Sequence, residues 1–216
     1  MRKLVVNTFV SLDGVMQAPG GPDEDPTGGF TLGGWAVNYF DDEMLGLMAA
    51  ADPYELLLGR GTYEIFAAHW PYSDDPMADR LNSTRKHVAS TTAEELEWEN
   101  FTLITGDVAE YVTSLKNEDG AEIQVHGSPG LIQTLLEHDL IDELRVWIFP
   151  VVLGAGKRLF GAGTVPAALN LVGSKVSNTG VTINTYQRAG DIDTGSMGFD
   201  EPTEAEIERR RRLGAS

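Results

Sequence analysis

The residues best suited to chemistry in this chain gather at two strand-to-helix junctions, about seventy residues apart. The first reads Leu56-Leu57-Leu58-Gly59-Arg60-Gly61-Thr62-Tyr63-Glu64, the second Ile123-Gln124-Val125-His126-Gly127-Ser128-Pro129-Gly130-Leu131. Each ends a run of strand-forming residues in glycine and then opens a helix. A helix start offers unpaired backbone N–H groups and a partial positive charge, which suits an anion. Glycine lets that backbone approach a ligand closely. Two such ends in one domain point to a ligand with several phosphates, such as a nucleotide cofactor. Arg60 adds a guanidinium whose geometry matches phosphate; the alternative is a surface arginine paired with Glu64. Thr62 either caps its helix or hydrogen-bonds phosphate. Ser128 is a natural N-cap and Pro129 a natural first helical residue.

Other chemistry-bearing residues are more ambiguous. Asp13 follows the first strand in Ser11-Leu12-Asp13-Gly14, where it is either a functional carboxylate or an ordinary turn aspartate. Asp41, Asp42 and Glu43 lie on the helix after the first loop, where acids are most often ordinary partners of the helix dipole. Gly154-Ala155-Gly156-Lys157-Arg158-Leu159-Phe160 lacks the spacing and the hydroxyl of a phosphate-binding P-loop, which excludes nucleotide hydrolysis by that route. His69, His87, His126 and His138 show no metal-ligand spacing, so no metal site is expected. Trp35, Tyr39, Trp70 and Trp147 read as packing residues. Trp35 alone borders a long loop and becomes a substrate-side candidate.

These residues need elements to position them. Residues 3–10 form a β-rich run, followed by a Gly/Pro/Asp-rich loop from about Gln17 to Gly34; loops that long are usually functional or mobile. Trp35 to Ala51 reads as a helix with Phe40, Met44, Leu47 and Met48 on one stripe. Strands are expected at Tyr54–Leu58, Lys86–Ala89, Phe101–Ile104, Glu122–Val125 and Leu144–Val152, with Pro150 marking an edge or an end. Helices are expected at Thr62–His69, at Met77–Asn82, from Asp107 through Lys116, and from Ser128 to about His138. Thr91 and Thr92, each with Glu three residues on, carry a capping signature for a brief helix. Leu169–Val172 and Val181–Tyr186 form a closing hairpin through Asn178-Thr179-Gly180. Alternating helices and strands indicate an α/β class.

The chain has 216 residues, enough for one domain with a tail. Residues 1–190 are the expected domain. Residues 191–216 are the expected flexible charged tail, carrying a four-arginine run at Arg209–Arg212. Cysteine is absent, which excludes disulfides and thiolate chemistry. The net charge of −17, from 33 acidic and 16 basic residues, disfavours nucleic acid and anionic membranes as partners. No run of about eighteen apolar residues occurs, and the amino terminus reads directly as a strand, so a cytoplasmic protein is expected.

The order Ser11-Leu12-Asp13-Gly14, Leu58-Gly59-Arg60-Gly61-Thr62-Tyr63-Glu64, Val125-His126-Gly127-Ser128-Pro129-Gly130-Leu131, Leu140-Ile141-Asp142-Glu143-Leu144 and Pro150-Val151-Val152-Leu153-Gly154-Ala155-Gly156-Lys157-Arg158-Leu159-Phe160 resembles the dihydrofolate reductase-like superfamily. It is most similar to the reductase domain of the bifunctional riboflavin-biosynthesis deaminase-reductase and its stand-alone bacterial relatives, over about residues 2–188. The resemblance implies a mixed, mostly parallel central sheet with flanking helices and a C-terminal β-hairpin. It implies NADPH across the ends of the central strands, and a homodimer.

By the same resemblance, Gly59, Arg60 and Thr62 meet the adenosine 2′-phosphate or pyrophosphate, and Ser90 and Thr91 the adenosine end. Gly127, Ser128, Gly130 and Leu131 lie beside the pyrophosphate. Serine at 128 replaces the second glycine of the family's pair. Asp13 becomes the candidate catalytic and substrate-binding carboxylate, hydrogen-bonding a pyrimidine or pterin ring or orienting a proton-donating water. Lys157 and Trp35 join it on the substrate side. The implied activity is NADPH-dependent reduction of such a heterocycle. The rival readings are a cofactor-binding protein without that chemistry and a structural dimer module.

Overall fold

The computed structural model describes residues 1–92, 97–198 and 200–214. The capping pattern at Thr91 and Thr92 runs into residues 93–96 and lies outside them.

Eight strands form one sheet: β1 (Leu4–Ser11), β2 (Tyr54–Gly59), β3 (Lys86–Ala89), β4 (Phe101–Ile104), β5 (Glu122–Val125), β6 (Glu143–Phe149), β7 (Leu169–Val176) and β8 (Thr182–Arg188). Their spatial order is β4-β3-β2-β5-β1-β6-β8-β7. The first six pair in parallel, and β8 and β7 join antiparallel. The sheet is thus mixed, mostly parallel and closed by the C-terminal hairpin, as the motif order implied.

Helices α1 (Asp42–Ala49), α2 (Arg60–Ala67), α3 (Pro76–Ser83), α4 (Val108–Asn117) and α5 (Pro129–Glu137) cover the sheet, and α6 (Glu204–Gly214) lies in the charged C-terminal segment. Alternate side chains of a strand point to opposite faces. Leu4, Val6 and Val10 of β1 join Leu57, Val112, Leu115, Ile132 and Leu135 in the main core under α4 and α5. Phe9 points the other way, into the cluster with Met44 of α1, Trp147 and Phe149. On that second face α2 and α3 close over Leu56, Leu58 and Val88.

The first expected helix is shorter than its periodicity. Residues 37–39 make one 3₁₀ turn, Phe40 is extended, and α1 starts only after Asp41 caps it by accepting from the Met44 N–H at 2.9 Å. The Phe40 ring packs edge-on against Phe9, centroids 5.5 Å apart, so the aromatic stripe is satisfied without a continuous helix. β6 stops at Phe149, just before Pro150, as the missing N–H of proline requires.

The chain starts in the middle of the sheet at β1, runs outward through β2, β3 and β4, and returns to β5 between β2 and β1. That reversal opens a crevice at the carboxyl ends of β2, β5 and β1, where open parallel sheets bind ligands.

Candidate functional site

β2 and β5 are neighbours, so the two glycine junctions land side by side. The Gly59 N–H donates to the Gly127 carbonyl at 3.1 Å. A Cβ on Gly59 would lie 2.0 Å from Ser128 Oγ, and a Cβ on Gly127 2.5 Å from Thr62 Oγ1. Only glycine at both positions permits this approach. The Gly127–Ser128 peptide bond is cis. Neither helix start carries a side-chain cap: Gly59 has no side chain to offer α2, and Ser128 makes no capping bond to α5. The first-turn N–H groups of Arg60, Gly61 and Thr62, and of Gly130 and Leu131, therefore lie at neighbouring helix starts with no capping side chain. The Leu131 side chain is buried in the core, so only its backbone can face a ligand.

β3 ends beside β2, with Gly59 paired to Ala89, which brings Ser90 and Thr91 to the same edge. Arg60 reaches across to Thr92, the residue that follows them. Its Nε bonds Glu64 Oε1 at 2.5 Å, and its Nη1 donates to Thr92 Oγ1. The Glu64 pair is the alternative the sequence left open, and it coexists with an Arg60 side chain that is 47% exposed.

On the other side of β5, at the ends of β1 and β6, stands Asp13. Gly14 at φ +84 completes its turn, a conformation that costs glycine little. Asp13 Oδ1 accepts from Ser11 Oγ at 2.7 Å and the Leu153 N–H at 3.0 Å. Oδ2 accepts from the Gly154 N–H at 2.9 Å and Arg158 Nη2 at 3.3 Å. A carboxylate has about four acceptor sites, so this one is full. The Leu153 N–H foremost, then the Ser11 hydroxyl, hold its pKa well below the ordinary carboxylate range. Asp13 is thus a permanent anion that ties the turn after β1 to the segment after β6. It has no proton to donate, and a ligand must displace a present partner to reach it.

The other two substrate-side candidates are engaged in the same region. Trp35 donates its indole N–H to the Gln17 carbonyl at 2.7 Å, and its ring meets Phe149 edge-on at 5.3 Å. Lys157 Nζ holds Asp25 Oδ2 at 2.6 Å, and its N–H bonds Gln17 Oε1 at 2.9 Å. Together they fasten the 17–34 loop to the 153–158 segment. A hollow of about 270 Å³ lies between the two, lined by Gln17, Thr27, Phe30 and Lys157 among others.

The sequence reading passed over a polar floor on the sheet face shared by α1, α2 and α3. Trp147 Nε1 donates to Asn7 Oδ1 at 3.0 Å, and Asn7 Nδ2 to Gln124 Oε1 at 3.3 Å. Gln124 Oε1 also pairs with His126 Nε2 at 3.0 Å, and its Nε2 donates to Glu122 at 2.8 Å. Arg145 grips Glu122 with two bonds of 2.8 Å and reaches Glu143 at 2.8 Å. Burial beside Tyr54 and Phe66 pushes the His126 pKa down to about 4, so this imidazole is neutral at pH 7. The available signal was polar residues at alternate positions of central strands, which otherwise read as continuous apolar runs when helices cover both faces.

Strand order, carboxyl-edge crevice and paired helix starts define a protein of the dihydrofolate reductase-like fold. The chain belongs to the RibD C-terminal domain family, whose model matches residues 2–183. It is 28% identical over 198 residues to the Bacillus subtilis protein YyaP, covering 88% of this chain and 96% of that one. A protein of Shewanella sp. PV-4, described under riboflavin biosynthesis, superposes with a TM-score of 0.62 at 26% identity. That match covers 87% of this chain and 99% of the other. Dihydrofolate reductase from Enterococcus faecalis, solved with NADP(H), shares the fold at a TM-score of 0.56 and 13% identity, over 87% of this chain and 96% of its own.

Proposed function

We propose that this chain is an NADPH-dependent reductase of a flat, nitrogen-rich heterocycle of the pyrimidine or pterin type, or of its ribityl or ribosyl derivative. The observation that carries the proposal is the contact between the two uncapped helix starts, held together by the 3.1 Å bond from Gly59 to Gly127. The donor set fits a dinucleotide. First-turn N–H groups of α2 and α5, with the Thr62 and Ser128 hydroxyls, would hold the pyrophosphate. Arg60, with Ser90 and Thr91, would hold the 2′-phosphate and adenosine. The NADP(H)-bound dihydrofolate reductase of the same fold supports this direction.

NADPH, when bound, supplies the hydride. The protein's part is alignment and exclusion of water. The heterocycle would lie at the carboxyl end of the polar floor, beside Asn7 and neutral His126, with Gln124 buried behind them. The 17–34 loop, pinned by Trp35 and by the Lys157–Asp25 pair, covers it. Asp13 acts by holding the 153–158 segment in place. Residues 1–190 make up the reductase domain, with residues 191–216 an appendage to it.

The saturated Asp13 carboxylate favours a narrower second reading, in which the chain binds NADPH without the family's turnover. One experiment separates them: titrate NADPH by thermal shift, then follow NADPH oxidation with pyrimidine, pterin and folate substrates. Binding with turnover supports the reductase, and binding without turnover on any of them supports the second reading. No thermal shift at millimolar NADPH overturns both.

A further inference from the structure

The hydrogen-bond chain across the polar floor has only one possible sense, because each of its ends does. At one end the Trp147 indole can only donate, at 3.0 Å to Asn7 Oδ1. At the other, the Glu122 carboxylate, gripped by Arg145 through two 2.8 Å bonds, can only accept. The two amides between them are thereby oriented. Asn7 takes the indole N–H on its oxygen and must donate through Nδ2 to Gln124 Oε1 at 3.3 Å. Gln124 must then donate through Nε2 to Glu122 Oε1 at 2.8 Å. Neither amide can turn over without setting donor against donor and acceptor against acceptor.

His126 meets this chain at Gln124 Oε1, 3.0 Å from its Nε2. An amide oxygen cannot donate, so Nε2 carries the hydrogen. The ring is neutral at pH 7, which leaves Nδ1 as a bare lone pair. Among the described residues no side chain or backbone group donates to it. The one buried side-chain nitrogen or oxygen without a partner among those residues is on Arg2, so Nδ1 is not sealed in the core. The Tyr54 and Phe66 rings stand 6.0 and 6.2 Å from the imidazole, centroid to centroid, and the residue stays partly exposed. His126 immediately precedes Gly127, whose carbonyl takes the Gly59 N–H where β5 and β2 end. The unused acceptor thus belongs to the last residue before the crevice.

We infer that His126 selects the substrate: its Nδ1, kept as an acceptor by the chain from Trp147 to Glu122, takes a lactam or amino N–H of the bound heterocycle. The inference rests on the reductase reading and narrows its substrate class to rings that present an N–H to the end of β5. A ring offering a carbonyl or a bare nitrogen there would set two lone pairs face to face. His126 orients the ring and does not supply the proton that accompanies the hydride, since at neutral pH it holds none on Nδ1.

The test is ¹⁵N NMR of the full chain labelled at histidine, alone and then titrated with uracil or pterin and with the same rings methylated at every N–H. Without ligand, His126 should show a hydrogen-bearing Nε2 and a bare Nδ1 at pH 7. The Nδ1 signal should move and saturate with the N–H rings and stay in place with the methylated ones. The wild type should favour the N–H rings over the methylated ones about two- to tenfold more than His126→Phe does, a comparison that cancels the bulk of the methyl groups. His126→Asn, whose amide oxygen can stand near the Nδ1 position, should keep part of that preference. If His126→Phe fails to fold, the wild-type spectra decide. A hydrogen on Nδ1 instead of Nε2, an Nδ1 signal unmoved while an N–H ring saturates, or no binding of any of these rings overturns the inference. NADPH titrated into a second sample reports separately: saturation there leaves the cofactor site of the reductase reading standing, and no response takes down that reading and the inference with it.

Discussion

Gly59→Ala tests the geometry on which the cofactor site depends. The added methyl would stand 2.0 Å from Ser128 Oγ, 3.0 Å from its Cβ and 3.1 Å from its backbone N. The hydroxyl can rotate away, but the Cβ and N can yield only if the first turn of α5 moves. Overpacking of this kind costs about 1–3 kcal/mol. Straining the bond from Gly59 to Gly127 adds about 0.5–1.5 kcal/mol. The sum, about 1.5–4.5 kcal/mol, lowers the Tm of a domain this size by about 3–18 °C. If the displaced turn also loses one charged hydrogen bond to phosphate, NADPH binding weakens by about ten- to a hundredfold. Gly59→Ala with Ser128→Gly removes the Oγ and Cβ contacts and leaves only the one at 3.1 Å. The pair should therefore recover more than half of both losses, a non-additivity expected of touching residues. Gly61→Ala, in the same turn with open space around it, should be neutral or stabilising. Differential scanning calorimetry and an NADPH fluorescence titration read these proteins beside the wild type and the Ser128→Gly single variant. Wild-type Tm and affinity in Gly59→Ala, or a double variant worse than either single one, would refute the reasoning.

Arg60→Ala should weaken NADPH by roughly five- to a hundredfold and NADH far less, because a charged hydrogen bond of about 1.5–3 kcal/mol is offset by about 0.3–0.5 kcal/mol for the exposed Glu64 pair that must open; equal losses for both cofactors in paired titrations would remove the assignment. Asp13 has a depressed pKa, so the stability it contributes is present above its ordinary value of 3.8 and is lost as pH falls toward its lower folded value. The Tm gap between wild type and Asp13→Asn should accordingly stay constant from pH 7 to about 5 and narrow below about 4, whereas a gap that persists into acid contradicts the hydrogen-bond count. His126 is likewise depressed, from 6.5 to about 4, so the unfolded chain binds its proton first and stability declines as pH is lowered through that window. Its imidazole resonances should titrate near 4, and a midpoint near 6.5 would show the ring to be solvated.

The two glycine junctions were legible because their physics is local: strand, glycine and helix start follow one another within nine residues. The α/β class was legible from alternating periods for the same reason, while the mixed, mostly parallel sheet came from the family resemblance. The state of Asp13 was not, because its partners Leu153, Gly154 and Arg158 lie about 140 residues further along the chain. Nothing near Asp13-Gly14 distinguishes a turn aspartate from a saturated latch. The polar floor was missed because Asn7, Gln124 and Arg145 sit on three strands and become a network only through pairing register. Trp35 to Phe40 misled the helix reading, since aromatic packing against Phe149 and Phe9 outweighed periodicity. Arg60 was half legible: Glu64 four residues on was visible, and Thr92 across the β2–β3 edge was not.

The most direct measurement of the central claim is an amide-resolved NMR titration with NADPH. The N–H signals of Arg60, Gly61, Thr62, Gly130 and Leu131 should move together and saturate at one dissociation constant, with NADH moving the same set at weaker affinity. Saturable binding that leaves those five amides in place, or no change at millimolar NADPH, would contradict a dinucleotide held by the paired starts of α2 and α5.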